Sequence, residues 1–334
     1  MTDTDLLAEY DALLLDLDGT VYRGGEAVPG AVEAIKASRR RGAGIRYVTN
    51  NASRKPGSVA AHLNELGFQA TDEEVSTSSQ AAASVLAERL TSGDLVLIIG
   101  TQALADEVSA VGLTPTREFT PEVAAVVQGH SPDTGWRDLA EAGLAIRHGA
   151  FWVACNVDAT LPTERGLLPG NGSMVAALKA ATDVEPVVAG KPARPLMDQA
   201  IRSAGARKPL VVGDRLDTDI AGATAAELDA LLVLTGVAYP AQILQAPEEL
   251  RPRYLSADLS GLLRPVSEVE IGKQPDWDVQ VDDRTLIVTG SGDGEPLALL
   301  RGLCAAWWPA GGGAVTVRAG DDASTVALAA LNIG

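Results

Sequence analysis

The chain has 334 residues, of which 46% are apolar and 21% charged, so it is long enough for two or three domains and is not a disordered polymer. Its 44 acids against 27 bases leave a net charge of −17, which argues against a basic patch holding nucleic acid or an anionic membrane. Three His and two Cys are too few for a Cys- or His-rich zinc cluster, and Cys155 and Cys304, far apart in the chain, fit a reducing compartment.

The N-terminal MTDTDLLAEYDALLLD lacks the basic start of a secretory signal, and no uncharged apolar run approaches the roughly 18 residues of a membrane span. A cytoplasmic protein without membrane insertion is expected. Ala12–Leu17 reads as a strand buried on both faces. Val28-Pro29-Gly30 opens a helix to about Arg41, with Pro29 in its first turn. A strand over 45–48 ends in Thr49-Asn50-Asn51, and a helix over 58–66 stops at Gly67. This βαβα order predicts a parallel sheet with helices on its faces. The alternation continues with strands at 95–99, 123–128, 151–155, 186–188, 210–212 and 230–234. Helices are expected at 102–111, 136–142, 172–181, 195–203 and 218–226. After about Leu263 the texture changes: VSEVEIGKQPDWDVQVDD is charged and extended, then come a strand at 285–289, a helix at 296–307 and a strand at 314–317.

Four short segments fall at predicted strand ends: Asp16-Leu17-Asp18-Gly19-Thr20, Thr49-Asn50-Asn51, Gly190-Lys191-Pro192 and Gly213-Asp214-Arg215-Leu216-Asp217-Thr218-Asp219. Open parallel sheets bind ligands beyond the carboxyl ends of their strands, so the four are expected at one edge. Asp16 and Asp18, two apart, point the same way on an extended chain, and neighbouring carboxylates favour a hard cation. Asp214 and Asp219 add oxygen donors of the kind Mg2+ prefers. Lys191, Thr49 and the backbone N–H groups of Gly19 and Asn50 then suit a phosphoryl group. Taken singly, each segment also reads as an ordinary turn, and Asp217 or Thr218 as a helix N-cap. Together and in this order they point to phosphoryl chemistry, and Lys191 is one of only 6 Lys in the chain.

In family order the four segments resemble motifs one to four of the haloacid dehalogenase superfamily. DLDGTVYRG, VTNN, GKP and GDRLDTDI resemble its branch of NagD-like and 4-nitrophenylphosphatase-like phosphatases, over about residues 12–260. FWVACNVDATLPTERGLLPGNGSMVAAL is similar to that branch's cap. The resemblance implies an α/β fold: a Rossmann-like core at 1–80 plus 186–262, an inserted α/β cap of the C2 type at 81–185, and a small α/β extension at 263–334, acetyltransferase-like but too short for acetyl transfer. It implies that Asp16 is the nucleophile and Asp18 the acid and then base. Mg2+ would be held by the Asp16 carboxylate, the Asp18 carbonyl and Asp214, with Asp219 either acting through water or supporting the direct ligands from behind. Thr49 and Lys191 would neutralise the phosphoryl oxygens, and Gly19, Asn50, Asn51, His130 and Asn156 would bind substrate, Asp133 and Asp158 lying on the same cap loops. The branch often has Thr where Cys155 stands, so the contact beside Asn156 is left open; Cys155 itself reads as a buried small residue.

The retained Asp18 favours phosphate monoester hydrolysis over dehalogenation. The resemblance makes glycerol 3-phosphate the leading substrate among small phosphorylated metabolites, ahead of 2-phosphoglycolate, a pyridoxal phosphate or nucleoside monophosphates. A homodimer paired through the caps is the assembly it implies. A metabolite-sensing regulatory protein with vestigial turnover is the reading of another class. In the extension, Val288-Thr289-Gly290-Ser291-Gly292-Asp293-Gly294 lies between strand and helix; it reads as a phosphate cradle or as structure, and the acids at Asp293 and Glu295 oppose an anion. Trp307-Trp308 reads as core or as a contact with the main body.

Overall fold

The computed structural model describes residues 4–163, 165–291 and 294–333. Gly292 and Asp293 of the glycine-rich loop lie outside the described residues. The chain gathers into two compact units, residues 1–46 with 204–334 and residues 47–203.

In the first unit, Ala12–Leu15 forms a strand buried at every position. It ends two residues before the expected Leu17, because the Leu17 carbonyl turns to accept the N–H groups of Val21 (2.9 Å) and Tyr22 (3.1 Å). Beside it runs Pro209–Gly213, parallel, with Leu15 opposite Val212. Ala230–Val233 and Tyr254–Ser256 follow, also parallel. All four strands are buried throughout, as expected of parallel strands covered on both faces. The first helix spans Ala31–Arg40 and buries Ala31, Ala34, Ile35 and Ser38, one stripe at helical spacing. Its start is later than expected, because Gly30 takes a left-handed conformation (φ +78°) that no helix continues through. Gly44, opening the Gly44–Thr49 strand, donates to the Asp11 carbonyl at 2.9 Å.

The C-terminal part of this unit has its own three-stranded sheet. Trp277–Asp282 pairs antiparallel with Thr285–Gly290, which pairs parallel with Thr316–Ala319. Helices Pro296–Trp307 and Asp322–Ala330 accompany it. The extension is anchored to the rest of the unit by polar as well as apolar contacts. Trp308 Nε1 donates to the Leu244 carbonyl (3.2 Å), and Arg251 lies over the Trp308 ring. Arg301 is buried; its Nη1 donates to the Leu255 carbonyl (3.1 Å) and its Nη2 to Glu295 (3.3 Å). Ile271 N–H donates to the Arg253 carbonyl (3.0 Å). Trp307 is core, as one of the two readings had it, and Trp308 is the contact.

In the second unit, the Gly44–Thr49 strand pairs parallel with Val75–Thr77 through Tyr47, Val48 and Thr49. A separate parallel sheet has the order Val187–Val188, Phe151–Ala154, Val123–Gln128, Leu95–Ile99, Thr114–Thr116. Leu97, Ile99, Val126, Trp152 and Ala154 share one face of it and pack under Ala142, Ala145, Ile146, Val175 and Leu178 of helices Trp136–Arg147 and Asn171–Thr182. The first of these helices runs five residues past the expected Ala142, since Ala145 and Ile146 continue the buried stripe. A two-stranded hairpin, Thr160–Thr163 with Gly166–Pro169, stands apart from the sheet. The mixed α/β class with a helix-flanked parallel Rossmann-like core is thus as expected. No helix among the described residues is long and apolar enough to cross a membrane.

Candidate active site

The first unit brings two of the four segments together. Its parallel register continues one step past the strands: Asp16 N–H donates to the Val212 carbonyl at 2.8 Å. Asp16 and Asp214 therefore follow the carboxyl ends of neighbouring strands. One carboxylate oxygen each from Asp16, Asp214 and Asp219 lies within 4.8 Å of the others. Asp214 and Asp219 are fully buried, whereas Asp16 is partly exposed. The Asp18 side chain is exposed and outside this trio.

Glycines make the cluster possible. A Cβ at Gly236 would stand 1.8 Å from Asp214 Oδ2, one at Gly19 2.6 Å from the same oxygen, and one at Gly213 2.3 Å from the Asp219 side chain. The acids thus lie directly on bare backbone. Val237 N–H donates to Asp214 Oδ2 (2.7 Å) and Thr20 Oγ1 to its Oδ1 (3.4 Å). Thr235 Oγ1 holds the Gly19 carbonyl (2.5 Å), fixing the turn in which Gly19 has φ +88°. Asp219 does not cap a helix through its own first turn; its Oδ2 accepts the Arg215 N–H (3.1 Å) across a π-turn, Leu216–Ile220, so the regular helix begins only at Ala221. Asp217, an N-cap candidate together with Thr218, is exposed and forked by the Arg215 guanidinium, whose hydrogen bonds hold its carboxyl below the usual carboxylate range. Oxygen donors only, two of them desolvated, are the set a hard divalent cation such as Mg2+ requires.

The second unit brings the other two segments together. The Asn50 side chain brackets Lys191: Oδ1 accepts the Lys191 N–H (2.8 Å) and Nδ2 donates to the Lys191 carbonyl (2.9 Å). Lys191 is buried and its Nζ donates to the Val48 carbonyl at 3.2 Å. Thr49 is buried, with Oγ1 accepting the Asn51 N–H (3.1 Å), and Asn51 Oδ1 accepts from Ser53 (2.8 Å). The Asn50 carbonyl takes two further donors, Ser78 Oγ (2.6 Å) and Asn156 Nδ2 (2.7 Å). Asn156 Oδ1 accepts from Asp158 N–H (3.3 Å), and Asn50 Nδ2 also reaches Asp158 Oδ2 (3.3 Å). Asn50 thereby ties the segment of Thr49 to that of Lys191, and Asn156 joins them through the Asn50 carbonyl. His130 is half-buried beside a small cavity with Gln128 and Asn171. Asp133 is exposed, its N–H bonded to Ser131 Oγ (3.2 Å). Burial pushes the Cys155 thiol up, so it is a neutral packing group.

Sequence reasoning did not single out Thr20's bond to Asp214, Thr235, Gly236, Val237 or Ser78. Thr235 acts through its hydroxyl, Gly236 through a missing Cβ and Val237 through a backbone N–H, and no residue pattern advertises these contacts. Thr20 lies inside the first segment and Ser78 lies 28 residues past Asn50, and only contact geometry shows what each bonds.

The fold and the acid cluster define a class, and comparison with known families agrees. Residues 13–114 match the haloacid dehalogenase-like hydrolase model and residues 188–262 a second hydrolase model of that type. The chain belongs to the haloacid dehalogenase-like hydrolases. Residues 274–333 match the model of a GCN5-related N-acetyltransferase-like domain. The D-glycerol 3-phosphate phosphatase of Mycobacterium tuberculosis is 50% identical over 332 residues, 96% of this chain and 93% of that one. Crystal structures of the glycerol phosphate phosphatase from that organism, one with magnesium and one with calcium, superpose with TM-score 0.95 over 99% of both chains at 49% identity. The 5'-nucleotidase YutF of Bacillus subtilis is 41% identical over 68% of this chain and 88% of its own length.

Proposed function

We propose that this haloacid dehalogenase-type enzyme, a phosphoric monoester hydrolase, cleaves glycerol 3-phosphate to glycerol and phosphate with Mg2+ as cofactor. The observation that carries the reading is the convergence of Asp16, Asp214 and Asp219 at neighbouring parallel strand ends, with Asp16 alone partly open to solvent. The reachable carboxylate is the one suited to attack.

In the first step an Asp16 oxygen bonds to phosphorus as the bond to the ester oxygen breaks, and Asp18, protonated, gives its proton to the departing alkoxide. In the second, Asp18 as a carboxylate takes a proton from water, whose oxygen bonds to phosphorus while the aspartyl-phosphate bond breaks. Asp16 is regenerated and inorganic phosphate leaves. Bound through Asp16, Asp214 and the Asp18 carbonyl, with Asp219 acting through water, Mg2+ would neutralise charge on the carboxylates and phosphoryl oxygens. Lys191 and Thr49 serve the same oxygens, and Gly19 and Asn51 line the phosphoryl end. Asn50 and Asn156 act by holding Lys191 and Thr49 in place, which their hydrogen bonds support.

The choice of glycerol 3-phosphate draws support from a likeness that spans the phosphatase segments and the extension alike. The nucleotidase relative, which aligns with only 68% of the chain, supports nucleoside monophosphates as the second reading. Phosphate release from glycerol 3-phosphate, 2-phosphoglycolate, pyridoxal phosphate and nucleoside monophosphates, with and without Mg2+, tests both. Faster turnover of a nucleotide than of glycerol 3-phosphate would reverse their order, and no release from any ester would favour a metabolite sensor. The expected cap at 81–185 and the paired assembly belong to this reading too; sedimentation of the full chain reads the pairing.

A further inference from the structure

The loop that follows the Ala230–Val233 strand grips Asp214 from two sides. Val237 N–H donates to Asp214 Oδ2 (2.7 Å), and Ala238 N–H donates to the Asp214 carbonyl (2.9 Å). The loop then runs directly into the helix Pro240–Leu244, which has only 5 residues. So short a helix has little stability of its own, and carbonyls at its end must find partners beyond it. Whatever fixes this helix also fixes the grip on Asp214.

The extension supplies that fixing. Trp308 Nε1 donates to the Leu244 carbonyl at 3.2 Å, closing the end of the helix. Arg251 Nε donates to the Ala246 carbonyl (3.0 Å), just past it. Arg251 is itself seated on the extension: its Cζ lies 5.4 Å from the centre of the Trp308 ring and its Nη1 donates to the Trp308 carbonyl (3.5 Å). Gly312 is bare where the guanidinium lies, and a Cβ there would stand 2.3 Å from Arg251 Nη2. Elsewhere the helix is less supported. Tyr239, Gln242 and Gln245 line an open groove of about 300 Å3 with Leu216, Pro247 and Leu250.

We propose that Trp308 is a positioning residue for the Mg2+ site: by holding the end of this helix, the extension keeps the Val237 N–H aimed at the Asp214 carboxylate. The path runs from the Trp308 indole to Leu244, back along one short helix to Val237, and from there to Asp214 Oδ2. All of it lies in the first unit. The extension thereby tunes metal binding without touching the metal. The inference rests on the reading of Asp214 as a Mg2+ ligand. Trp307 provides the comparison, since its Nε1 donates to the Gly313 carbonyl (2.9 Å) within the extension and leads to no part of the grip.

The test is titration calorimetry of the full chain with Mg2+ and no substrate. Trp308→Phe keeps an aromatic face for Arg251 and removes the N–H. Its Kd for Mg2+ should rise about fivefold, less than the roughly 10- to 100-fold that follows loss of a direct partner of a metal ligand. Trp307→Phe also loses an indole hydrogen bond, yet its Kd should stay at the wild-type value. An unchanged Kd in Trp308→Phe, or an equal rise in both variants, would overturn the proposal and leave Trp308 a merely structural residue. Amide exchange in the metal-free protein is the second measurement. The Val237 and Ala238 N–H groups should exchange about fivefold faster in Trp308→Phe and at the wild-type rate in Trp307→Phe. If the wild type binds no Mg2+, the metal reading fails by itself. The exchange rates then still decide the link, and equal rates in the wild type and Trp308→Phe would end it.

Discussion

Two sheet ends in this molecule are furnished in opposite ways. In the first unit, three carboxylates crowd bare glycine backbone around Asp214. In the second, neutral amides of Asn50, Asn156 and Asn171 tie loops together by hydrogen bonds to main-chain atoms. Carboxylates only accept, so they draw N–H donors, a hydroxyl and a cation. Amides donate as well as accept, so they close on the backbone without any outside group. The contrast teaches that a charged end is an unfinished structure that chemistry completes, while an amide-rich end is a scaffold that holds others in place.

The sharpest break in this comparison comes from Asp16→Asn. It removes the attacking carboxylate while preserving shape, and kcat is expected to fall by about a thousandfold or more with the thermal midpoint nearly unchanged. Residual turnover near wild type would end the covalent route. Gly236→Ala sharpens the role of the clamp: its new Cβ displaces the Asp214 carboxylate, and half-saturation by Mg2+ should rise about 10- to 100-fold. An unchanged metal titration would show that Asp214 is not a ligand.

Asn50→Ala probes the scaffold end. It deletes both hydrogen bonds to Lys191, and a loss of about 2 kcal/mol in unfolding free energy should accompany a drop in kcat. If stability falls but kcat holds, the bracket does not serve Lys191's chemistry. Arg301→Ala, in the extension, should cost a similar amount of stability yet leave kcat and metal affinity intact, as read by denaturant unfolding beside an activity assay. The smallest effect expected is a null one. Burial raises both the Cys155 and Cys304 thiols, so neither should react with a disulfide reagent at pH 8 until the protein is unfolded. Rapid labelling of the native chain would contradict that burial.

Much of the fold was legible because its strands are apolar runs bounded by turn residues. Leu95–Ile99, Val123–Gln128 and the helix Pro296–Trp307 have the limits the pattern implies. Val75–Thr77 and Ser78–Ala87 passed unread: a strand of three residues followed by a Ser- and Ala-rich helix offers little contrast between faces, and its start is marked only by the Thr77–Gln80 capping box. Asp322–Ala330 escaped for the same reason. At the site, the acids and Lys191 were legible because each follows a strand. The backbone clamp at 235–237 was not, since a peptide N–H belongs to every residue. Gln128 reads as the polar end of a strand; that it is sealed inside appears only once Asn171 and Met174 are set over it.

The anchoring of the extension has one more consequence. Tyr254–Ser256 is the outermost strand of the first unit's sheet, and its outward carbonyls at Arg253 and Leu255 are taken by Ile271 and Arg301. An unsatisfied row there would be a template for pairing with another molecule. The C-terminal residues thus act as a hem, occupying the border of the sheet that another strand would need.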